Sequence, residues 1–125
     1  MLSIGCMGTA STEVSSDNVA SAVGSGSLNV FSTPMMIALM EQAACNALSE
    51  FMHEDDTTVG TLVNVSHLAA SVVGKMITAK ATVISIDGRK ISFEVSASDG
   101  DNEIGNGSHV RFIVNKEKFM SKIKD

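Results

Sequence analysis

The stretch Thr33-Pro34-Met35-Met36-Ile37-Ala38-Leu39-Met40-Glu41-Gln42-Ala43-Ala44-Cys45-Asn46-Ala47-Leu48 decides the fold, and its composition predicts a helix. Pro34 suits the first helical position and Thr33 suits the N-cap before it. Strong helix formers fill the interior. Apolar residues lie on every side, which is typical of a buried helix. The 15 residues from Pro34 to Leu48 are too few to cross a bilayer.

Glu41 is the only charged residue within this stretch, and it shares a helical row with Ile37, Ala44 and Leu48. A buried carboxylate is costly unless it is paired, hydrogen-bonded or neutralised. Such groups are frequent in functional sites. The alternative is an acid that reaches one solvated edge of the helix. Glu41 is therefore the first candidate site residue, and both readings stay open at this point.

Length and composition predict one domain over residues 1–125. The net charge of −5 argues against a nucleic-acid partner, and no apolar run is long enough to predict a membrane span. Residues 2–6 lack the basic and apolar regions of a signal peptide. Cys6 and Cys45 match neither a metal spacing nor a disulfide framework, and Cys45 is expected in the core. A cytoplasmic protein is expected.

The basic residues are unevenly distributed along the chain. All nine lie from Lys75 onward, and the first 74 residues contain none. An anionic ligand would therefore find its counter-charges in the second half of the chain.

After residue 56 the apolar pattern changes to a period of two, which predicts strands. β-branched residues dominate the first of these strands, and Gly60 within it indicates a bulge or a close backbone approach. Asp87-Gly88 is the strongest hairpin signal, and residues 99–102 form a second turn. A short strand is also expected within residues 7–15. The four later strands are predicted at Thr57–Leu68, Lys75–Ile86, Arg89–Ser98 and Ile104–Val114.

The order of these elements is strand, buried helix, then four strands read as an antiparallel meander. It predicts an α+β architecture in which a curved antiparallel sheet wraps around one central buried helix. A single five-stranded sheet cannot cover a helix that is apolar on all sides. A second copy of the chain is therefore expected to supply the remaining cover, as a two-fold dimer.

Two further residues are candidates for chemistry. His67 ends a predicted strand, and histidine is easily tuned to work near neutral pH, although a strand-end histidine often only forms a hydrogen bond. Thr33 is already explained as an N-cap. It lies eight residues, about 12 Å, from Glu41, so the substrate must span the two or a partner chain must contribute one of them. His109, beside Arg111 on the last strand, is read as structural.

Four segments together resemble a known family: Val30-Phe31-Ser32-Thr33-Pro34, Ala38-Leu39-Met40-Glu41, Val59-Gly60-Thr61 and Val65-Ser66-His67-Leu68-Ala69-Ala70. They are similar to hotdog-fold acyl-CoA thioesterases close to fluoroacetyl-CoA thioesterase. The likeness continues to Ile104-Gly105-Asn106-Gly107-Ser108-His109-Val110-Arg111. It implies the hotdog fold, and a homodimer, or a tetramer of paired dimers, with its active site at the dimer interface.

The resemblance also implies roles for particular residues. Thr33, Glu41 and His67 would be catalytic. Glu41 would attack the thioester carbonyl or activate water, Thr33 would position the carboxylate or substrate, and His67 would assist proton transfer. Gly60 and Arg111 would bind substrate. No cofactor or metal is implied, because CoA is part of the substrate.

The segment before the catalytic threonine departs from that family. An aromatic gate there accompanies defluorinating selectivity, whereas residues 24–29 read Gly-Ser-Gly-Ser-Leu-Asn. A small or medium acyl group is therefore expected. CoA phosphates would meet basic residues among Lys75, Arg89, Lys90 and Lys116. The alternatives are a non-catalytic acyl-CoA-binding domain and another thioester chemistry, such as that of a hydratase or dehydratase.

Overall fold

Five strands form one antiparallel sheet, and one long helix packs across it, in the computed structural model, which describes residues 1–124. Asp125, the end of the predicted polar tail, lies outside the described residues. Within them, no helix combines the length and apolar character that a membrane span needs. The elements in order are β1 (Met7–Glu13), α1 (Ala20–Val23), α2 (Thr33–Leu48), a 3₁₀ turn (Ser49–Phe51), β2 (Asp56–His67), β3 (Met76–Asp87), β4 (Lys90–Asp99), β5 (Asn102–Asn115) and α3 (Lys116–Ile123).

The strand order across the sheet is β1-β3-β4-β5-β2. The two predicted hairpins, β3–β4 and β4–β5, are confirmed. The predicted four-strand meander is wrong at its first step, because β2 pairs with β5 and lies at the sheet edge. The chain between β2 and β3 carries no tight-turn signal. It is tied instead to the segment before α2, where the Phe31 N–H donates to the Ser71 carbonyl.

The start of α2 differs from the prediction by one residue. Ser32 is the N-cap, and its hydroxyl accepts a hydrogen bond from the Met35 N–H at 3.3 Å. Thr33 is therefore not the cap but the first helical residue. Proline is tolerated throughout the first turn, where N–H groups lack intrahelical partners, so Pro34 does not fix the cap position. The side chain of Thr33 is consequently available for other contacts.

One face of α2 packs against the sheet. A Cβ at Gly8 of β1 would collide with the backbone of Ala43 and Ala47, so this glycine lets the helix lie close to the strand. The apolar positions of β3 and β4 complete the core. The residues of α2 that are buried on this side are Met36, Leu39, Met40, Ala43, Ala44, Ala47 and Leu48.

The opposite face of α2 is open in a single protomer. Ala38 and Gln42 are exposed, and Ile37, Glu41 and Cys45 are half-buried. This open face agrees with the expectation that one sheet cannot cover the helix, and the cover expected from a second copy stays a prediction. Cys45 is likewise at the helix margin and not in the core. This face has no cover from its own sheet because β2, the strand beside it, is the last strand of the sheet.

Candidate active site

The first polar cluster lies at the N-terminus of α2. Thr33 Oγ1 lies 2.8 Å from Nδ1 of His67, the last residue of β2. The chain that follows β2 is held against the segment before α2 by the Val30–Val72 bridge and by the hydrogen bond from the Phe31 N–H to the Ser71 carbonyl. Two of the three catalytic residues implied by the resemblance are thus in direct contact.

Only one ring nitrogen of His67 has a hydrogen-bond partner within the described residues. Nε2 is shielded from solvent and unpartnered there. Burial lowers the pKa of His67 from its ordinary value of 6.5, and the backbone of Ala69 opposes this in part. The imidazole is therefore neutral near pH 7.

A cleft of about 280 Å³ opens beside this pair. Thr33 and His67 lie on its wall, with Phe31 at its base. The loop that follows α1 contributes Ser25. The other lining residues are Ala20, Val30, Ser32, Leu68, Ala69 and Ala70. Most of the residues that line this cleft are small or apolar.

The second polar cluster lies about two turns further along α2. Arg111 Nη1 donates to Glu41 Oε2 at 3.0 Å, and the two side chains are 8% and 40% exposed. Thr58 on β2 fixes the guanidinium, since Nε donates to its Oγ1 at 2.8 Å and Nη2 to its carbonyl at 3.0 Å. Glu41 is therefore a paired carboxylate with one side open to solvent.

Gly60 makes room for this cluster. A Cβ there would lie 2.6 Å from Glu41 Oε2, 3.1 Å from Arg111 Nη1 and 3.2 Å from His109 Cε1. The ladder between β2 and β5 also shifts register between Gly60 and Leu62. The predicted bulge and the predicted close approach are both confirmed, and what approaches is a pair of charged groups.

His109 also belongs to this cluster, although only a structural role was predicted for it from the sequence. It is 1% exposed, and its Nε2 lies 3.2 Å from Arg111 Nη1 and 4.0 Å from Glu41 Oε2. Burial is the main cause that lowers its pKa. Arg111 lowers that pKa further, while the Leu62 carbonyl and Glu41 oppose. The available signal was spacing, because residues two apart on a strand share a face and Arg111 was already a candidate.

The two clusters remain separate within one protomer. Thr33 and Glu41 are eight positions, about 12 Å, apart on the helix. Along the chain, Ile37 lies midway between them on α2, and Val63 and Val65 lie between Gly60 and His67 on β2. Among residues 1–124, no group of three or more His, Cys, Asp or Glu is arranged to hold a metal ion.

Comparisons with known proteins identify a family for this chain. The sequence model of the family described as Fluoroacetyl-CoA-specific thioesterase matches residues 14–117. A curated fluoroacetyl-CoA thioesterase from Streptantibioticus cattleyicolor is 39% identical over 95 residues, which cover 76% of this chain and 68% of that protein.

Solved structures extend the likeness to the fold. The fluoroacetyl-CoA thioesterase FlK is 31% identical with a TM-score of 0.91, over 98% of this chain and 96% of that one. A variant of it in complex with fluoroacetate and CoA is 31% identical with a TM-score of 0.89, over 94% and 99% of the two chains. A thioesterase superfamily member from Thermus thermophilus is 22% identical with a TM-score of 0.89, over 98% and 90%, and shares the fold. The predicted hotdog fold is confirmed.

Proposed function

This chain belongs to the Fluoroacetyl-CoA-specific thioesterase family, and from that premise we propose that it hydrolyses an acyl-CoA thioester with a small or medium acyl group to the free acid and CoA. The observation that carries the proposal is the Glu41 carboxylate. Arg111 holds it at 3.0 Å on a face open to a ligand, and Gly60 leaves the space beside it clear.

Glu41 performs the first chemical step in one of two ways. As a general base it removes a proton from water while the water oxygen attacks the thioester carbonyl carbon. As a nucleophile its oxygen attacks that carbon and forms an anhydride, which water then cleaves. In both cases the C–S bond breaks, and the CoA sulfur leaves as a thiolate that takes up a proton. Arg111 engages Oε2, which leaves Oε1 for the water or the substrate.

Thr33 and His67 assist by stabilising charge. When the Thr33 hydroxyl donates to Nδ1, the proton of neutral His67 resides on Nε2. Nε2 has no hydrogen-bond partner among the described residues, and in this proposal its N–H donates to the carbonyl oxygen or to the departing sulfur of the bound substrate. The N-terminus of α2 adds partial positive charge at the same place.

We propose a homodimer in which each active site uses Thr33 and His67 of one protomer and Glu41 of the other. Two features support it. Thr33 and Glu41 are eight positions, about 12 Å, apart along the helix of one chain. The edge strand β2 also presents unpaired backbone together with Leu62 and Val63, which are 50% and 39% exposed. Two such dimers could associate further into a tetramer.

Solution mass and complementation test this assembly. Light scattering at micromolar concentration should give at least twice the chain mass, and a stable monomer would contradict the dimer. Thr33→Ala and Glu41→Gln protomers, refolded together in equal amounts, should regain about a quarter of wild-type activity, because a mixed dimer has one intact site. Absence of any recovery would show that both residues act within one protomer.

The nucleotide end of CoA would bind beside the C-terminal helix. A cleft of about 340 Å³ is lined there by Arg89, Lys118 and Lys122 together with Phe119. Phosphates would meet the three cations, and the adenine could stack on the aromatic ring. Of the predicted basic candidates, Arg89 lines this cleft, and its Nη1 donates to the Ile113 carbonyl at 3.2 Å. Lys116 instead donates to the Glu54 carbonyl at 3.0 Å.

We further propose that residues 1–125 act as one thioesterase domain in the cytoplasm, with no nucleic-acid or membrane partner. Cys6 and Cys45 are free thiols, as is common in reducing compartments. The reaction needs no cofactor, because water and the acyl-CoA are its only reactants.

A panel of acyl-CoA substrates with thiol-release detection tests the activity. The wild type should release CoA from short and medium acyl-CoAs, and Glu41→Gln should lower kcat about 10²- to 10⁴-fold. Glu50→Gln, which changes an exposed acid in the 3₁₀ turn, is the matched control. Saturable binding without thiol release would favour a binding domain. Hydration of crotonyl-CoA would favour a hydratase.

A further inference from the structure

We propose that His109 is a positioning residue, which orients Arg111 and through it the carboxylate of Glu41. The proposal rests on the proposed function, because its consequence is a change in the rate of hydrolysis. Its basis is the buried network around His109, which places a single imidazole between the backbone of β2 and the guanidinium that pairs with Glu41.

The contacts of His109 determine where its proton resides. Nδ1 lies 2.8 Å from the carbonyl oxygen of Leu62, which can only accept, so Nδ1 carries the proton. Nε2 lies 3.2 Å from Arg111 Nη1, which can only donate, so Nε2 presents a lone pair. The neutral ring thus accepts on one side and donates on the other. Its low pKa, which burial and Arg111 both favour, keeps it in this form.

The lone pair of His109 accepts one of the hydrogen bonds that Arg111 donates. A guanidinium has five N–H donors in a fixed plane. Thr58 takes one from Nε and one from Nη2. The two hydrogens of Nη1 then go to His109 Nε2 and to Glu41 Oε2. Because the plane is rigid, an acceptor at Nε2 determines the direction of the hydrogen that reaches the carboxylate.

The alternative is that His109 only fills the core. Its ring stacks on Phe93 with centroids 6.0 Å apart and an interplanar angle of 27°, so packing is part of its role. Packing alone does not require a lone pair at Nε2, whereas positioning does. The charged groups that face the ring, Glu41 from α2 and Arg111 from β5, are the two that the proposed positioning acts on.

Two amide substitutions separate these roles. In His109→Gln the amide can place an oxygen near the position of Nε2, and this variant should keep kcat within about 3-fold of the wild type. In His109→Asn the shorter amide can bond Leu62 but offers Arg111 no acceptor, and kcat should fall about 10- to 100-fold with little change in KM. His109→Phe, which keeps the ring alone, should resemble His109→Asn. Wild-type kcat in His109→Asn, or equal losses in all three variants, would overturn the proposal.

A measurement on the unaltered protein keeps the test independent of folding and of activity. In the histidine ¹⁵N spectrum at pH 7, His109 should show a protonated Nδ1 and an unprotonated Nε2, with assignment from the signal lost in His109→Gln. A protonated Nε2 would overturn the proposal even if acyl-CoA is hydrolysed. If this spectrum is observed but the protein releases no thiol, the hydrogen-bond network around His109 is supported and the proposed hydrolysis is wrong.

Discussion

The hydroxyl of Thr33 lies 2.8 Å from Nδ1 of His67, although 34 residues separate them in the chain. The contact exists because Ser32, not Thr33, caps α2, so the threonine hydroxyl is not engaged by the helix backbone. The Ser32 hydroxyl thus caps the helix, whereas the Thr33 hydroxyl contacts His67 at the cleft.

Substitution of Ser32 should therefore lower stability, whereas substitution of Thr33 should lower activity. Ser32→Ala removes the cap and should lower the free energy of unfolding by about 1 kcal/mol. Thr33→Ala should lower kcat about 10-fold or more and leave the unfolding free energy close to that of the wild type. Thr33→Ser keeps the hydroxyl and is the control for activity. Urea unfolding and thiol release measure the two quantities, and equal destabilisation by both alanine variants would contradict the assignment of the cap.

Gly60→Ala should impair hydrolysis through a steric effect. The new Cβ would lie 2.6 Å from Glu41 Oε2, so the carboxylate must leave its contact with Arg111. We expect kcat to fall about 10-fold or more. Asn64→Ala, on the outward side of the same strand, is the matched control. Wild-type kcat in Gly60→Ala would show that the Glu41–Arg111 contact is dispensable.

The stability of the protein should decrease as the pH falls below neutral. The folded-state pKa values of His67 and His109 both lie below the ordinary 6.5, so between those values and 6.5 the unfolded chain binds more protons. The free energy of unfolding therefore falls as the pH drops through this range. Thermal melts between about pH 5.5 and 7 should show the trend, with a shallower slope in His109→Gln.

The exposed His53 offers the control for that measurement. Its side chain is 75% exposed, and His53→Gln should keep the wild-type slope. A melting temperature that rises as the pH falls would contradict the burial of the two histidines.

Removal of cations from the cleft beside the C-terminal helix should affect only substrates that carry the nucleotide. Arg89→Gln combined with Lys118→Gln should raise KM for the best acyl-CoA about 10-fold, with little change in kcat. The matching acyl-N-acetylcysteamine thioester lacks the phosphates, and its kcat/KM should not change. Lys75→Gln, an exposed cation outside this cleft, is the control variant. An unchanged KM for acyl-CoA would place the nucleotide elsewhere.

Local sequence signals predicted the elements of this fold well. The helix, both hairpins and the alternation of the strands follow from backbone preferences and from turn chemistry that act over a few residues. The position of β2 could not be derived in this way. No tight turn joins β2 to β3, so its place beside β5 depends on pairing between distant segments.

Residues of the candidate site could be predicted only where the sequence carried a recognisable signal. Glu41, His67 and Thr33 were candidates from their positions on the helix and strand, whereas the substrate-binding roles of Gly60 and Arg111 came from the resemblance. The structure sorts these five residues into two clusters. The only signal for His109 was its spacing of two from Arg111, and that spacing does not tell packing from positioning. The cap at Ser32 was missed since serine and threonine are both good N-caps and proline fits either of the next two positions.

The unpaired edge of β2 has a consequence for the life of a newly made chain. Until another strand covers this edge, its free N–H and C=O groups and the exposed Leu62 and Val63 can pair with an extended segment of another chain. Assembly and aggregation thus compete for the same surface. Slow synthesis at low temperature, which keeps unassembled chains scarce, should therefore improve the recovery of intact protein more than any change to the catalytic residues.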